Sequence, residues 1–211
     1  MRNINCINYI LTTNCNRNCP ECCCDVPNKT GIDVSWIYIV ESAKYLKGIN
    51  RINLSGGEPT LHPYFEEIVP KLRELFQCNL LTIETNGYGF EKFPEIFKYF
   101  DWIQATHYSS ESYEGSDDNE EQVKFIQDYL KDSKTVVLVA NVTHVLRSRR
   151  SSGEICERGK SETAAYENGL IYPCCVAPGI EGGKGIPLSS NWKEEILKTE
   201  MPCNNCHFAG P

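Results

Sequence analysis

Cys15, Cys19 and Cys22 are separated by three and two intervening residues in the run Cys-Asn-Arg-Asn-Cys-Pro-Glu-Cys-Cys-Cys that ends at Cys24. A thiolate is a nucleophile, a redox group and a soft metal ligand, so spacing decides which chemistry is open to it. Three thiolates on one loop can each bond a different iron of a [4Fe-4S] cube, leaving the fourth iron without a protein ligand. An open metal position is where chemistry happens. Structural zinc is the competing reading. It wants four closed ligands, and this loop supplies three unless Cys23 or Cys24 adds a fourth. The register is also open, because Cys22 gives the two-residue gap while Cys23 and Cys24 are spare thiols or alternative ligands.

Two further motifs follow strand-like runs. Ser55-Gly56-Gly57-Glu58-Pro59 comes after Ile49 to Leu54, and Thr85-Asn86-Gly87 closes Leu80 to Thr85. Paired glycines let backbone carbonyls approach a ligand because no Cβ intervenes. Glu58 offers an acceptor for an ammonium, and Pro59 stiffens the bend.

The three motifs, in this order, resemble the signature of the radical S-adenosylmethionine (SAM) enzymes. The resemblance implies a [4Fe-4S] cluster on Cys15, Cys19 and Cys22 whose open iron chelates the amino and carboxylate groups of SAM. An electron from the cluster then splits the sulfonium, and the 5′-deoxyadenosyl radical takes a hydrogen atom from the substrate. It further implies SAM contacts from Gly56, Gly57, Glu58, Pro59, Thr85 and Asn86, and a reductant of the flavodoxin or ferredoxin type. Thr106 and Asn141, at the ends of the fourth and fifth strands, are placed near SAM by topology. Glu21 stands where the family often has an aromatic residue beside the adenine.

The tail carries a second constellation, Cys156-x12-Gly169-x4-Cys174 and then Cys203-x2-Cys206. Tyr166 to Tyr172 reads as a hairpin turning on Asn168-Gly169, which would bring Cys156 and Cys174 together from opposite strands. A zinc knuckle is one outcome. The tail is also similar to the Twitch module, the short form of the SPASM extension of radical SAM enzymes. That resemblance implies a second [4Fe-4S] cluster on Cys156, Cys174, Cys203 and Cys206, with Cys175 as an alternative to Cys174. A cluster ligated four times has no open iron and suits electron transfer. The substrate radical would lose a proton and pass an electron to it, completing a two-electron oxidation; one relative treats an aminocyclitol alcohol in this way.

The elements that position these groups alternate. Strands are expected over Ile4–Thr12, Ile49–Leu54, Leu80–Thr85, Asp101–Thr106 and Thr135–Val142. Helices are expected over Asp33–Lys47, with Trp36, Ile39, Val40, Ala43 and Leu46 on its apolar face, and over His62–Phe76, Phe90–Tyr99 and Asn119–Leu130. Alternating βα units imply a parallel sheet whose sites lie past the strands' C-terminal ends. A full eight-fold barrel takes about 250 residues, more than the 211 available here. The expected fold is therefore α/β: a partial, open radical SAM β/α barrel of about five parallel strands and four helices over residues 1–146, and a small cysteine-rich module over 147–211. The basic run Arg147 to Arg150 marks the boundary.

Twelve cysteines in 211 residues fall below the density of a disulfide scaffold. Their metal-like spacing, without a signal peptide or membrane span, points to a reducing cytoplasm. A net charge of −7 disfavours nucleic acid as the main partner. Cys6 and Cys78 read as small buried residues. His107, Tyr108 and Glu84 are candidates for taking the proton of a substrate radical.

The expected activity is a radical SAM oxidoreductase with two [4Fe-4S] clusters and SAM, acting on a small polyol, sugar or amino-sugar. A maturase acting on a ribosomally made peptide is the alternative. The start at the first strand, leaving no room for a peptide-recognition domain, tilts the reading to the small molecule. A non-catalytic iron-sulfur or zinc-stabilised binding module is the reading of another class.

Overall fold

Side-chain alternation along the central strands separates a polar side from an apolar side, and the sheet is built on that division. The computed structural model describes residues 3–19, 22, 31–112, 114–142, 163–174, 177–179 and 183–199. Its elements are β1 (Cys6–Thr12), α1 (Trp36–Leu46), β2 (Arg51–Gly56), α2 (Phe65–Phe76), β3 (Leu80–Thr85), β4 (Trp102–His107), α3 (Glu120–Leu130), β5 (Val136–Asn141), β6 (Thr163–Glu167), β7 (Leu170–Tyr172), β8 (Ile186–Pro187) and α4 (Trp192–Lys198). They form an α/β fold around one open, mostly parallel sheet of order β5-β4-β3-β2-β1-β6-β7-β8. Strands β1 to β5 pair in parallel with their neighbours, β6 pairs in parallel with β1, and β7 and β8 run antiparallel.

Ile7, Tyr9 and Leu11 on β1, Ile52 and Leu54 on β2, Leu81 and Ile83 on β3 and Ile103 and Ala105 on β4 share one face. They are buried with Ile39, Phe65, Leu72, Phe76 and Ile126 of the helices in a single apolar core. The register places Asn8, Asn53 and Thr82 side by side on the other face, and Glu84 beside Gln104 one pleat nearer the strands' C-terminal ends. Asn53 donates to Asn8 at 2.6 Å and to Glu84 at 3.0 Å, while Thr82 donates to Asn53 at 2.7 Å. One pleat toward the N-terminal ends, the Arg51 guanidinium lies 5.1 Å from the Trp102 ring and donates to Cys6 at 2.9 Å.

Three helical expectations change. Helix α1 starts at Trp36 with Ser35 as its N-cap, because Asp33 is engaged elsewhere, accepting from Thr12 Oγ1 at 2.6 Å and Asn14 Nδ2 at 3.0 Å. Trp36 consequently sits at the first turn, 41% exposed, while Ile39, Ala43 and Leu46 are buried as expected. Helix α2 starts at Phe65, after a 3-10 turn at Pro59–Leu61. Phe90–Tyr99 contains no α-helix; only a 3-10 turn forms at Ile96–Tyr99. Pro94 explains this, since it disfavours α geometry at Phe93 and lacks the N–H a helix would use.

The hairpin turns where expected, with φ of 47° at Asn168 and 89° at Gly169, the positive pair a tight two-residue turn needs. It joins the main sheet: Tyr166 packs on Tyr9 at 4.6 Å between ring centroids, and the Tyr9 hydroxyl hydrogen-bonds Ser42 of α1. The sheet therefore continues across the expected boundary at residues 146 and 147. Cys6 and Cys78 are buried, as anticipated. Among the described residues no helix is long and apolar enough to cross a membrane.

Candidate functional site

The cysteine loop leaves β1 and is fastened to the β2 loop by backbone hydrogen bonds. Gly57 N–H donates to Thr12 O and Glu58 N–H donates to Asn14 O, both at 2.8 Å. The glycines are required by this approach. A Cβ on Gly57 would lie 2.0 Å from Asn14 O, and one on Gly56, whose φ is +131°, would lie 2.1 Å from Thr12 O.

Glu58 is 1% exposed and ties the β2 loop to the β3 loop. Its Oε1 accepts from Thr60 N at 3.2 Å, Thr60 Oγ1 at 2.7 Å and Thr85 Oγ1 at 2.7 Å; its Oε2 accepts from Asn86 N at 2.7 Å. Burial pushes the Glu58 carboxyl up, and the donors from Asn86, Thr60 and Thr85 pull against that rise. The β3 loop in turn holds the cysteine loop, since Asn86 Nδ2 donates to Asn16 Oδ1 at 2.8 Å. The three motifs thus form a closed triangle of contacts.

Asn119 extends the triangle and was missed by the motif reading. It is 3% exposed; its Nδ2 donates to Asn86 O at 2.7 Å and Thr106 O at 2.9 Å, and its Oδ1 accepts from Tyr108 N at 2.7 Å. A single asparagine just ahead of a helix carries no motif, so only its three-way bonding reveals it.

Cys15, Cys19 and Cys22 form no disulfide. Burial pushes the Cys15 thiol up to about 11, Arg17 N–H lowers it at 3.4 Å from Sγ, and the nearby Glu58, Cys19 and Cys22 raise it. Cys15 and Cys22 pack against Ile10, and Cys19 Sγ donates to Tyr108 Oη at 3.7 Å. Among the described residues no three Cys, His, Asp or Glu side chains gather closely enough for a single ion. A cubane takes each thiolate on a separate iron and does not need them to meet at one point. Three partly buried soft ligands on one loop fit such a cluster. Cys174 is buried just past β7. Cys156, Cys203 and Cys206, like Cys23, Cys24, Cys175, Glu21 and the basic run at 147–150, lie outside the described residues.

The three candidate proton acceptors separate. Glu84 lies on the polar face of the sheet with Asn53 and Ser55. His107 has the parity of the core-facing Ile103 and Ala105; its Nδ1 pairs with Asn141 Oδ1 at 3.0 Å and its Nε2 lies 3.7 Å from Asp118. Tyr108 is held against Cys19, and burial and the neighbouring thiols raise its phenol far above the ordinary value. Thr106 shares the parity of Glu84, whereas Asn141 is turned to His107. A cavity of about 670 Å³ is bounded by Asn16, Arg17, Asn86, Tyr88 and Asn119. It adjoins the cysteine loop, and none of Asn53, Ser55, Glu84 or Thr106 lines it.

Residues 9–113, which contain all three motifs, match the Radical SAM superfamily model. The chain carries a radical SAM domain, and that family implies a [4Fe-4S] cluster and SAM. Among solved structures it is similar to BtrN in complex with AdoMet and 2-DOIA, with a TM-score of 0.64 at 14% identity over 93% of this chain and 83% of that one. Selenomethionine BtrN in an open conformation gives 0.53 at 20% identity over 82% and 70%. Streptococcus suis SuiB bound to S-adenosylmethionine gives 0.48 at 13% identity over 98% and 72%. At these identities the BtrN likeness is one of fold.

Proposed function

We propose that this chain is a radical SAM oxidoreductase that oxidises a small polyol, sugar or amino-sugar, with a first [4Fe-4S] cluster on Cys15, Cys19 and Cys22. The observation that carries the reading is the triangle of contacts. A loop of three thiols is held by the Gly56-Gly57-Glu58 turn and by Asn86, at the C-terminal ends of three adjacent parallel strands. That is where such sheets place their sites. When bound, the cluster and SAM supply a reducing electron and a 5′-deoxyadenosyl radical able to take a hydrogen atom.

The chain's own residues shape the rest. Gly56 and Gly57 present backbone without side chains, and Pro59 opens the 3-10 turn that carries Thr60. Glu58 acts here as an internal tie between loops. Thr85 and Asn86 present the β3 end, and Thr106 offers a hydroxyl on the polar face. Asn141 pairs with His107. Glu84, fixed by Asn53 at 3.0 Å, takes the proton released when a substrate hydroxyl becomes a carbonyl.

The second cluster belongs to this proposal. Cys174, the one of the four that lies among the described residues, would ligate it together with Cys156, Cys203 and Cys206, in a 147–211 module whose hairpin β6–β7 lies beside β1. It would supply the acceptor for the remaining electron. Its support is the tail spacing and the burial of Cys174 at the end of a strand continuous with the main sheet.

The test is iron and sulfide content after anaerobic reconstitution, for the wild type and for a C15A/C19A/C22A variant, followed by a SAM cleavage assay. About eight irons falling to about four, with 5′-deoxyadenosine made only by the wild type, supports both clusters. Zinc in place of iron, or no cleavage by the reduced wild type, overturns the enzyme reading. Deuterated polyols and amino-sugars then identify the substrate by deuterium transfer into 5′-deoxyadenosine. Transfer only from a peptide would overturn the small-molecule assignment.

A further inference from the structure

The loop between Cys15 and Cys19 contains one cation, Arg17, and it is not spread into solvent. Its guanidinium carbon lies 4.3 Å from the centroid of the Tyr108 ring, its Nη1 donates to Asp117 O at 2.9 Å, and its Nε is buried without a hydrogen-bond partner. The Tyr108 hydroxyl meets Cys19 Sγ at 3.7 Å. The backbone of Tyr108 is fixed by Asn119, which accepts from Tyr108 N and donates to Asn86 and Thr106. A cation, a phenol and a thiol are thus stacked in sequence, with the phenol held rigidly from behind.

We infer that Tyr108, braced by Arg17, is a positioning residue that raises the reduction potential of the cluster held by Cys19. This rests on the cluster assignment proposed above. In the metal-free chain the Cys19 thiol donates to the phenol. A thiolate ligand has no proton to give, so on metal binding the hydrogen bond reverses and the Tyr108 hydroxyl donates to sulfur. A donor on a ligand sulfur stabilises the more negatively charged, reduced cluster and so raises its potential. Arg17 acts with the same sign twice, by its own charge within the loop and by cation–π attraction on the ring that carries the hydroxyl. Neither residue needs to touch SAM or substrate to act.

The relation also gives the polar end of Tyr108 a role that its sequence position does not suggest. As a proton acceptor it is poorly placed, because its hydroxyl is engaged with Cys19 of the cysteine loop. As a donor to Cys19 it is well placed.

The experiment is a redox titration of the full chain, reconstituted anaerobically and followed by electron paramagnetic resonance. The first cluster is recognised as the signal that SAM perturbs. Tyr108→Phe removes the hydroxyl and keeps the ring under Arg17, while Arg17→Gln removes the charge. Tyr129→Phe removes a phenol that pairs with Glu95 instead. The expected result is wild-type iron content in Tyr108→Phe with a more negative midpoint, a smaller shift in the same direction in Arg17→Gln, and no shift in Tyr129→Phe. A wild-type midpoint in Tyr108→Phe overturns the inference and leaves the cluster assignment standing. If Tyr108→Phe loses the SAM-perturbed cluster, Arg17→Gln decides: a negative shift supports the inference and a wild-type midpoint overturns it. A wild type that shows no SAM-perturbed cluster signal overturns the cluster assignment itself, and this inference with it.

Discussion

Glu58 and Asn86 belong to different strand loops, and they are joined by a 2.7 Å hydrogen bond in which the buried carboxylate accepts the Asn86 backbone N–H. The same carboxylate takes Thr85 Oγ1 and both donors of Thr60. The glutamate of the Gly-Gly-Glu-Pro turn is therefore a strut as well as part of a motif. Glu58→Gln replaces one acceptor oxygen with an amide that itself donates, so a buried donor is set against a buried donor. The expected cost is about 1–3 kcal/mol, read as a lowered urea midpoint of the metal-free chain. An unchanged midpoint would show that the strut contributes nothing.

Gly57 is expected to tolerate no side chain. A Cβ added there would fall 2.0 Å from Asn14 O and 3.1 Å from Cys15 Cβ, so Gly57→Ala must displace the start of the cysteine loop. Iron content after reconstitution should fall while circular dichroism of the sheet stays close to wild type. Gly48→Ala, on the same chain, is the comparison: nothing lies within 4 Å of its added Cβ, although its φ is +79°. That variant should lose some stability to backbone strain and keep its iron.

The motif glycines and cysteines were legible because each spacing states a backbone demand, a close approach or a set of ligands on one loop. The alternation of β1 to β4 was legible for the same reason, since a period of two assigns faces. The helix expected over Phe90–Tyr99 does not form because of Pro94; Phe90 packs on Phe97 and Phe93 on Phe65 from a loop and a 3-10 turn instead. Joining of the hairpin to β1 could not be read. Pairing between distant strands leaves no local pattern, and Tyr166 against Tyr9 is a contact over a long stretch of chain. Asn119 and the Arg17–Tyr108–Cys19 stack escaped for that reason too: each is made by residues brought together only by the finished sheet.

His62 should make stability depend on pH. Its Nε2 is bonded to Val34 O at 3.0 Å and its Nδ1 accepts from Tyr64 N at 3.2 Å, so the neutral ring uses both nitrogens. Burial holds its pKa below the ordinary 6.5. In the unfolded chain the ring takes up a proton near that ordinary value, while the folded ring stays neutral to lower pH. The unfolded state therefore binds more protons in that window, and stability present above 6.5 is lost as pH falls toward the lower, folded value. Urea midpoints of the metal-free chain should drop on acidification through this range, and His62→Gln should lose that part of the slope. An identical slope in the variant would remove His62 as its source.

Glu84 is the carboxylate of the polar sheet face, and its position separates hydrogen-atom removal from proton removal. Asn53 Nδ2 holds its Oε1 at 3.0 Å and Ser55 Oγ approaches its Oε2 at 3.5 Å, so each oxygen keeps room for a further donor. Glu84→Gln preserves the shape and the bond to Asn53 and removes the basic site. SAM cleavage does not need that base, so 5′-deoxyadenosine should still form, with deuterium from labelled substrate still entering it. Formation of the oxidised product should fall by about 10²- to 10⁴-fold, appearing in kcat more than in KM. Because the side chain is only partly buried, the urea midpoint should change little. Loss of 5′-deoxyadenosine together with product would instead make Glu84 part of the SAM site, and full activity would move the base elsewhere on the rim.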